Sequence, residues 1–270
     1  MPQEIRLPAV AGLFYPASAA ALDSTLRQLL DAAPDRTLPN LRALIVPHAG
    51  YRYSGPVAAV AFKLLHTTPA SYGTVLLLGP AHRVWVNGVA VGGFDAMETP
   101  LGIVPVDRRA TAWLLSRGQP FLRYDAAHQP EHCLEVELPF LQCTVPGVHV
   151  VPLLFGDTEP ALVAGHLLDL LRSRTDDLVI VSSDLSHYHP YDEAVRRDRS
   201  LLQALLAGDR SAVARGQACG LLPILTLMTL AHELGWQPHL FDYRNSGDTG
   251  GGRDAVVGYA AVAFTAPAVQ

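Results

Sequence analysis

The sequence is poor in positive charge and almost without lysine. Only 20 of its 270 residues are lysine or arginine, and Lys63 is the single lysine. Acidic residues are in excess, so that the formal net charge is −5. Nucleic acids and anionic membrane surfaces attract proteins that carry dense runs of lysine and arginine, and this chain has no such run. The composition therefore predicts no nucleic-acid partner and no membrane partner.

Long hydrophobic runs and cysteine are scarce as well. No apolar stretch approaches the roughly 20 residues that span a bilayer. The first residues lack the basic flank and apolar core of a signal peptide. Three cysteines in a chain of this length do not make a disulfide framework. Together these observations predict a cytoplasmic protein.

Hydrophobic residues are plentiful, at 49% of the chain, and they fall into alternating strand-like and helix-like segments. The pattern predicts strands at 41–47, 74–79, 88–92, 148–155, 178–183 and 256–264. It predicts helices after Ser18 and Gly55 and at 107–117, 132–143, 160–172, 191–207, 209–216 and 222–235. Polar segments at 123–131 and 245–254 are expected to be loops. Strands that alternate with helices indicate a single three-layer α/β/α domain over residues 1–270, with a mostly parallel sheet.

Three of the predicted strands are followed closely by a histidine. His48 follows the first, His82 the second, and His187 the strand at 178–183. The carboxyl ends of parallel strands open onto the ligand crevice of an α/β sheet, and neutral imidazoles are common metal ligands. Taken alone, His48 and His82 are each explained better by a role in satisfying a turn than by metal binding. Their repeated position favours a shared site.

The segment from Ser182 to Pro190 concentrates polar side chains after a buried strand. A histidine such as His187 can transfer protons when a carboxylate such as Asp184 fixes its tautomer. The alternative is that a serine or Asp184 caps the helix predicted at 191–207. His189 is a weaker candidate for the same site.

Cys219 is predicted to lie just before a helix. There the helix dipole lowers the pKa of a thiol, which makes it a metal ligand or a nucleophile. A packed, inert thiol is the alternative. His132 and Glu135 share one face of the helix predicted at 132–143 and could form a polar wall of the pocket. Acidic residues near a helix start explain the same pattern, and Glu137 is expected to point elsewhere, solvated or paired.

Several motifs, taken in order, resemble the Memo family, whose bacterial and archaeal members are also called AmmeMemoRadiSam system protein B. They run from Ala11-Gly12-Leu13-Phe14-Tyr15-Pro16 to Phe264 and cover nearly the whole chain. The most telling are Pro47-His48-Ala49-Gly50-Tyr51, Gly79-Pro80-Ala81-His82, Glu131-His132-Cys133-Leu134-Glu135, Ser182-Ser183-Asp184 with His187, and Cys219-Gly220 with Pro223-Ile224.

The resemblance implies a fold similar to that of class III extradiol (LigB-type) dioxygenases, which bind non-haem Fe(II) through two histidines and a glutamate. His48 and His82 match the two histidine ligands, and Cys219 takes the place of the carboxylate. His187 matches the proton-transferring histidine, with Asp184 beside it. Residues expected to line the substrate pocket are Tyr51, His132, Glu135 and His189.

The implied cofactor is a metal ion, Fe(II) or copper first and zinc as an alternative, since a thiolate is a softer ligand than a carboxylate. The implied function is redox chemistry on a small molecule or an O₂ species. A second hypothesis is a non-catalytic adaptor whose pocket binds a small molecule or a peptide. Family association adds AMMECR1-like and radical-SAM proteins as expected partners. A third hypothesis is a cysteine hydrolase in which His187 activates Cys219.

Overall fold

The computed structural model describes residues 3–68, 71–174 and 176–267. Its main sheet has nine strands, and a separate sheet has three. The strands are β1 (Ile5–Arg6), β2 (Leu41–Val46), β3 (Thr74–Pro80), β4 (Val89–Val91), β5 (Ala96–Thr99), β6 (Gly102–Pro105), β7 (Phe121–Arg123), β8 (His149–Phe155), β9 (Asp177–Ser182), β10 (His187–His189), β11 (Gln237–Asn245) and β12 (Val256–Thr265).

The helices follow most of the predicted positions. They are α1 (Ala19–Ala32), α2 (Gly55–Thr67), α3 (Arg108–Ser116), α4 (Asp125–His128), α5 (Leu138–Thr144), α6 (Pro160–Ser173), α7 (Tyr191–Leu206), α8 (Arg210–Ala214), α9 (Leu221–Leu234) and α10 (Ser246–Thr249). As predicted, α1 begins after Ser18, whose hydroxyl accepts the N–H of Ala21. Within the described ranges, no helix has both the length and the hydrophobicity to cross a bilayer.

The order of the main sheet is β10-β12-β2-β9-β3-β8-β4-β7, with β11 also paired to β12. Parallel pairing joins β2, β9, β3 and β8 at the centre, and β4 to β7 near one edge. Antiparallel pairs flank the centre, where β12 joins β2 and β4 joins β8. The three-layer α/β/α architecture with a mostly parallel sheet is confirmed.

Two hydrophobic cores lie on opposite faces of the sheet because alternate side chains of each strand point to opposite sides. In β2, Leu44 and Val46 belong to the core that includes α1, α2 and α5. Their neighbour Ile45 belongs to the core that includes α6, α7 and α9. Strands buried on both faces read as continuous apolar runs, and this is why the sequence located them well.

The registers of the central strands bring their carboxyl ends to one edge of the sheet. Val46 in β2 is level with Ser182 in β9, and Val181 of β9 is level with Leu78 in β3. His48 follows β2 by two residues and His82 follows β3 by two residues. The first residues after β2, β3 and β9 are therefore neighbours, although they are far apart along the chain.

Some elements differ from the sequence-based expectation. The helix predicted at 132–143 is a 3-10 turn at Glu135–Glu137 followed by α5. Short helices occupy the predicted loops, α4 in the first and α10 in the second, and the unpredicted strand β7 ends at Arg123, where the first of these loops begins. The strands β1, β5, β6, β10 and β11 were not predicted. All of these except β11 have two to four residues, and strands this short carry little periodic signal of their own. The nine residues of β11 are mostly exposed or half-buried, so they do not form a continuous apolar run.

Candidate metal centre

Three side chains capable of binding a metal meet at the carboxyl edge of the central strands. Ligand atoms of His48, His82 and Cys219 all lie within 4.8 Å of one another. The Sγ atom of Cys219 is 3.2 Å from Nε2 of His48. Two ligands of one tetrahedral ion, bound at roughly 2.0–2.3 Å each, are separated by about 3.3–3.8 Å. The structure therefore brings these predicted ligands into the range of a common ion.

Hydrogen bonds hold both the backbone and the imidazole ring of His48 in place. Its N–H donates to Oδ1 of Asp184 at 2.8 Å, and its Nδ1 lies 2.7 Å from Oγ of Ser182. With Nδ1 engaged, Nε2 is the nitrogen that faces Cys219. Burial, with the charges of His82 and His132, lowers the pKa of His48 well below its usual range. The imidazole is neutral, as a metal ligand must be.

His82 has a different support, the carboxylate of Glu131. Oε1 of Glu131 lies 2.9 Å from Nδ1 of His82, and Oε2 accepts the backbone N–H of His82 at 2.6 Å. Burial alone would raise the pKa of Glu131, but contacts with His132 and His82 outweigh burial and lower it. An ionised carboxylate on the outer nitrogen of an imidazole is the usual support of a metal-binding histidine.

Cys219 lies immediately before the N-cap residue of α9. The Asp184 N–H donates to its Sγ at 3.1 Å, and the Cys219 N–H donates to the Asp184 carbonyl at 3.2 Å. Ser183 accepts the N–H of Gly220 at 2.9 Å, so the end of β9 clasps the start of α9. Burial and the charge of Asp184 raise the pKa of Cys219 to about 12. The prediction that the helix dipole lowers the pKa of Cys219 is wrong, because the effect of burial is larger than that of the dipole.

His132 adds a third imidazole to the cluster. Its ring centroid is 5.5 Å from that of His48 and 4.9 Å from that of His82, on which it stacks. Nδ1 of His132 is buried and makes no hydrogen bond within the described part of the chain, although it lies 3.1 Å from Oε1 of Glu131. The structure thus places His132 beside the two candidate histidine ligands, where a pocket residue was predicted.

A second group of ligand-capable side chains consists of His82, Glu131 and His132, whose ligand atoms also lie within 4.8 Å of one another. The oxygens of Glu131 are already occupied. Besides the two bonds from His82, Oε1 accepts the backbone N–H groups of His132 and Cys133. We therefore interpret Glu131 as the support of His82 and the segment 131–133 rather than as a metal ligand.

His187 and Asp184 lie close enough to the centre to influence the pKa values of its side chains electrostatically. The charge of His187 lowers the pKa of both His48 and Asp184, while burial raises the pKa of Asp184 to about 6. Nδ1 of His187 lies 2.8 Å from the Leu185 carbonyl and donates to it. The backbone carbonyl, not Asp184, therefore fixes the tautomer of His187, which corrects the predicted pairing. Asp184 instead accepts the N–H of His48.

Three residues predicted to line the pocket are engaged elsewhere. Tyr51 packs against Phe140 and donates its hydroxyl to the Val136 carbonyl inside the core. His189 is hydrogen-bonded to the side chain of Gln217 and lies beside the carboxylate of Glu193.

Glu135 was the third of these predicted residues, and its carboxylate holds the amino-terminal segment. It pairs with the buried Arg6 and accepts the N–H groups of Ala9 and Val10 and the hydroxyl of Tyr15. The shared helix face that suggested a polar wall does not exist, because residues 132–134 precede the first helical turn.

Sequence reasoning missed Glu131, Ser182 and Glu137 as supports of the site. Glu137 is fully buried, and its Oε1 lies 2.9 Å from Oγ of Ser182, so it is neither solvated nor turned away. The available signal for Glu131 was its place directly before His132, since carboxylates commonly support metal-bound imidazoles. No local pattern marks Glu137, whose partner lies 45 residues further along the chain.

The donor set fits a transition-metal ion. Two neutral imidazoles and one thiolate suit zinc, copper or iron, whereas calcium and magnesium prefer oxygen ligands. Three protein ligands leave further coordination positions for a substrate, as in catalytic sites. Binding would convert the Cys219 thiol to the thiolate, because a metal ion outweighs the burial that favours the protonated form.

A model of the Memo-like protein family matches residues 6–263 of this chain. The chain belongs to the Memo family. MEMO1 family proteins of Sulfolobus acidocaldarius and Methanosarcina barkeri are each 35% identical to it, with 96% of this chain and 99% of each relative covered. A MEMO1 family protein of Aquifex aeolicus is 34% identical over 96% of this chain and 99% of its own.

Among solved structures, an uncharacterized protein of Escherichia coli K12 is similar to this Memo-family chain. The TM-score is 0.55 at 14% identity, and the match covers 83% of this chain and 99% of that one. Identity this low supports the fold alone.

Proposed function

We propose that this Memo-family protein binds one redox-active metal ion, iron(II) or copper, through His48, His82 and Cys219 and carries out redox chemistry on a small molecule or an O₂ species. Zinc is the alternative ion for the same ligands. The observation that supports the proposal is the convergence of these ligand atoms within 4.8 Å, from segments far apart in the chain.

When bound, the ion would supply Lewis acidity and electron transfer at its open positions. The protein itself keeps the Nε2 atoms of His48 and His82 without a proton and points them in a fixed direction. Ser182 holds the outer nitrogen of His48, and Glu131 holds that of His82. Both imidazoles are thereby kept in the tautomer that leaves Nε2 free to bind.

Proton movement is assigned to His187, with Asp184 nearby. Because Nδ1 of His187 donates to the Leu185 carbonyl, Nε2 is free to accept or donate a proton. Asp184, with its pKa near 6, can hold either protonation state close to neutral pH. This arrangement gives the pocket a proton carrier that is separate from the proposed ligands.

The surroundings of Cys219 favour a ligand over a nucleophile. Its Sγ lies 3.2 Å from Nε2 of His48, and that nitrogen is a weak base because burial lowers the pKa of the His48 imidazole. A thiol whose pKa is raised to about 12 holds its proton at neutral pH and attacks poorly unless a metal ion displaces that proton.

Metal analysis of protein purified without oxygen tests the proposal. We expect close to one equivalent of metal per chain in the wild type and almost none in the variant with His48→Ala, His82→Ala and Cys219→Ala. The matched control is His189→Ala, since that histidine is bound at the surface to Gln217. Equal metal loading of the wild type and the triple variant would refute the ligand assignment.

A second candidate function, binding of a peptide or small molecule without turnover, is favoured by exposed apolar side chains on the segments that lead to the centre. Leu13, Trp85 and Tyr188 are 81%, 74% and 76% exposed. Each lies on a segment that also carries a site residue: Leu13 precedes Phe14, which contacts His132, while Trp85 follows His82 and Tyr188 contacts His187. Metal-free protein that binds a ligand as tightly as metal-loaded protein, with no product formed, would favour this function.

Association with AMMECR1-like and radical-SAM proteins is a further proposal that follows from family membership alone. Co-purification of the tagged protein from its native cells tests it. Recovery of neither protein class under conditions that preserve weak complexes would count against it.

A further inference from the structure

The hydroxyl of Ser182 makes several hydrogen-bonding contacts that the proposed metal chemistry does not explain. Three polar atoms surround its Oγ: Nδ1 of His48 at 2.7 Å, the Cys133 carbonyl oxygen at 2.7 Å and Oε1 of Glu137 at 2.9 Å. Ser182 is completely buried, and so is Glu137 apart from 1% of its surface. Buried polar groups at such distances need a consistent assignment of donors and acceptors.

A count of hydrogens gives one consistent assignment. A serine hydroxyl has one hydrogen to donate and two lone pairs to accept with. The Cys133 carbonyl can only accept, so it takes the hydroxyl hydrogen of Ser182. The two lone pairs then receive Nδ1–H of His48 and a proton carried by Glu137. All three contacts are satisfied when Glu137 is a neutral acid that donates to Ser182.

The surroundings of Glu137 agree with the neutral form. Burial raises the pKa of this carboxyl well above its usual range, and the nearby charge of Asp184 adds to the rise. An ionised Glu137 would compete with the Cys133 carbonyl for the single hydrogen of Ser182 and would leave one of these buried acceptors without a partner.

We propose that Glu137 is a positioning residue for the metal centre, which acts through Ser182 to hold His48 with Nε2 turned toward Cys219. The inference rests on the proposed function, because it concerns the ion bound by His48, His82 and Cys219. Under this proposal the two histidine ligands are supported in different ways. His82 is supported directly by a carboxylate, whereas His48 is supported by a hydroxyl that Glu137 fixes in place.

The orientation of Ser182 is what Glu137 controls. Without a donor on its second lone pair, the hydroxyl can turn and offer its hydrogen to Nδ1 of His48. That turn would favour the tautomer with the proton on Nε2, which cannot bind a metal ion. The loss of Glu137 should therefore weaken metal binding even though its hydrogen bond in the described part of the chain goes to Ser182 and not to a proposed ligand.

Titration of the purified, metal-free protein with Co(II) under anaerobic conditions tests the inference, with affinity and visible absorption as the measurements. We expect Glu137→Met to weaken Co(II) binding about 10- to 100-fold, the usual cost of losing a support of a metal ligand. Glu137→Gln keeps a neutral N–H donor for Ser182. Its affinity should stay within about twofold of the wild type, with the same Co(II) absorption spectrum.

A double-mutant cycle separates positioning from a general loss of packing. If Glu137 acts only through Ser182, Glu137→Met should change Co(II) affinity little in a Ser182→Ala background. The matched control is Thr144→Val, which removes a buried hydroxyl bond to Phe140 at the far end of α5. It should lower thermal stability and leave Co(II) affinity unchanged.

Several results would overturn the inference. Wild-type affinity in Glu137→Met would do so, as would an equal loss in the presence and absence of the Ser182 hydroxyl. If Glu137→Met does not fold, Glu137→Gln decides, since a loss above tenfold there contradicts a neutral donor. A wild type that binds no Co(II) would remove the proposed function itself, whereas normal wild-type binding with an unaffected Glu137→Met removes only the role of Glu137.

Discussion

The two candidate histidine ligands differ in how much of their environment the sequence reveals. The position of His48 and His82 after predicted strands was enough to propose them as ligands. Their supports, Ser182 and Glu131, lie 134 and 49 residues away along the chain. Hydrogen bonds between such distant side chains depend on the packing of whole elements, so no local pattern predicts which histidine each of them supports.

Arg6 provides a prediction about a buried ion pair. Its side chain is completely buried with that of Glu135, and it also donates to the carbonyls of His128 and Glu131. We expect Arg6→Met to destabilise the protein by about 3–5 kcal/mol, because Glu135 would be left buried without its partner. Denaturant unfolding of variant and wild type measures the difference.

The control for this prediction is Arg27→Met, which removes a surface ion pair. Arg27 and Asp23 are one helical turn apart in α1, with side chains 74% and 42% exposed. Such pairs contribute little in water, so no measurable change in stability is expected. Similar losses in both variants would contradict the assignment of the Arg6 pair as structural.

The lowered pKa of His128 leads to a prediction of how the stability of the protein depends on pH. Burial lowers its pKa to about 4, and its Nε2 lies 3.1 Å from the Ala90 carbonyl. In the unfolded chain a histidine has a pKa of about 6.5. Below that value the unfolded state binds a proton that the folded state does not, so stability falls as the pH decreases. The contribution is complete above pH 6.5 and is lost progressively between pH 6.5 and 4.

The His128→Gln variant isolates this contribution, because glutamine is neutral throughout and keeps an N–H donor for Ala90. Between pH 7 and pH 4 the wild type should lose about 3 kcal/mol more stability than the variant. The free energy of unfolding, measured in urea at several pH values, gives both curves. Parallel curves would show that His128 titrates normally in the folded state.

At the scale of secondary structure, the clasp between the end of β9 and the start of α9 decides where Cys219 lies. Gly220 makes the close approach there. A Cβ atom on it would lie 2.6 Å from Cβ of Ser183 and 2.9 Å from the Ser182 carbonyl oxygen. The backbone of Ser182 cannot move without disturbing β9, so the chain at residues 219–220 would have to shift instead.

Gly220→Ala is therefore expected to weaken Co(II) binding by about tenfold or more and to destabilise the fold by about 1–3 kcal/mol. Gly165→Ala in α6 is the matched control, because its new Cβ would contact nothing within 4 Å. That change should stabilise the protein by about 0.5–1 kcal/mol and leave Co(II) affinity unchanged. Unaltered metal affinity in Gly220→Ala would show that the clasp does not set the position of Cys219.

The elements themselves were predicted with uneven success, for a physical reason. The central strands and the long helices are marked by continuous apolar runs or by helical spacing, and they appear where predicted. The segment before α5 misled the prediction, because its acidic residues look like a solvated helix start. In the structure Glu135 and Glu137 are both buried and bound to distant partners.

At the scale of the whole molecule, the proposed ligands tie together parts of the chain that are separated by more than a hundred residues. Metal binding should therefore stabilise the entire fold, since the unfolded chain does not hold the three ligands together. A free Co(II) concentration of about 100 times the dissociation constant should add about 2.7 kcal/mol to the stability of the wild type.

Thermal unfolding with and without Co(II) measures this stabilisation. His48→Ala should lose nearly all of it, whereas His187→Ala should keep it, because His187 is assigned to proton transfer rather than to metal binding. Equal stabilisation of the wild type and His48→Ala would mean that Co(II) binds elsewhere. Loss of the effect in His187→Ala would contradict the division of roles between the histidines.

The sequence by itself determined the α/β architecture and the family, and it pointed to the three side chains that are proposed to bind a metal ion. These depend on local signals: apolar runs, helical spacing, and histidine or cysteine at element ends. Tertiary structure alone decided that Glu131, Ser182 and Glu137 support the ligands, and that Tyr51, Glu135 and His189 are engaged elsewhere. The reason is that a buried polar side chain takes its role from the partner it meets, and packing brings that partner from a distant part of the chain.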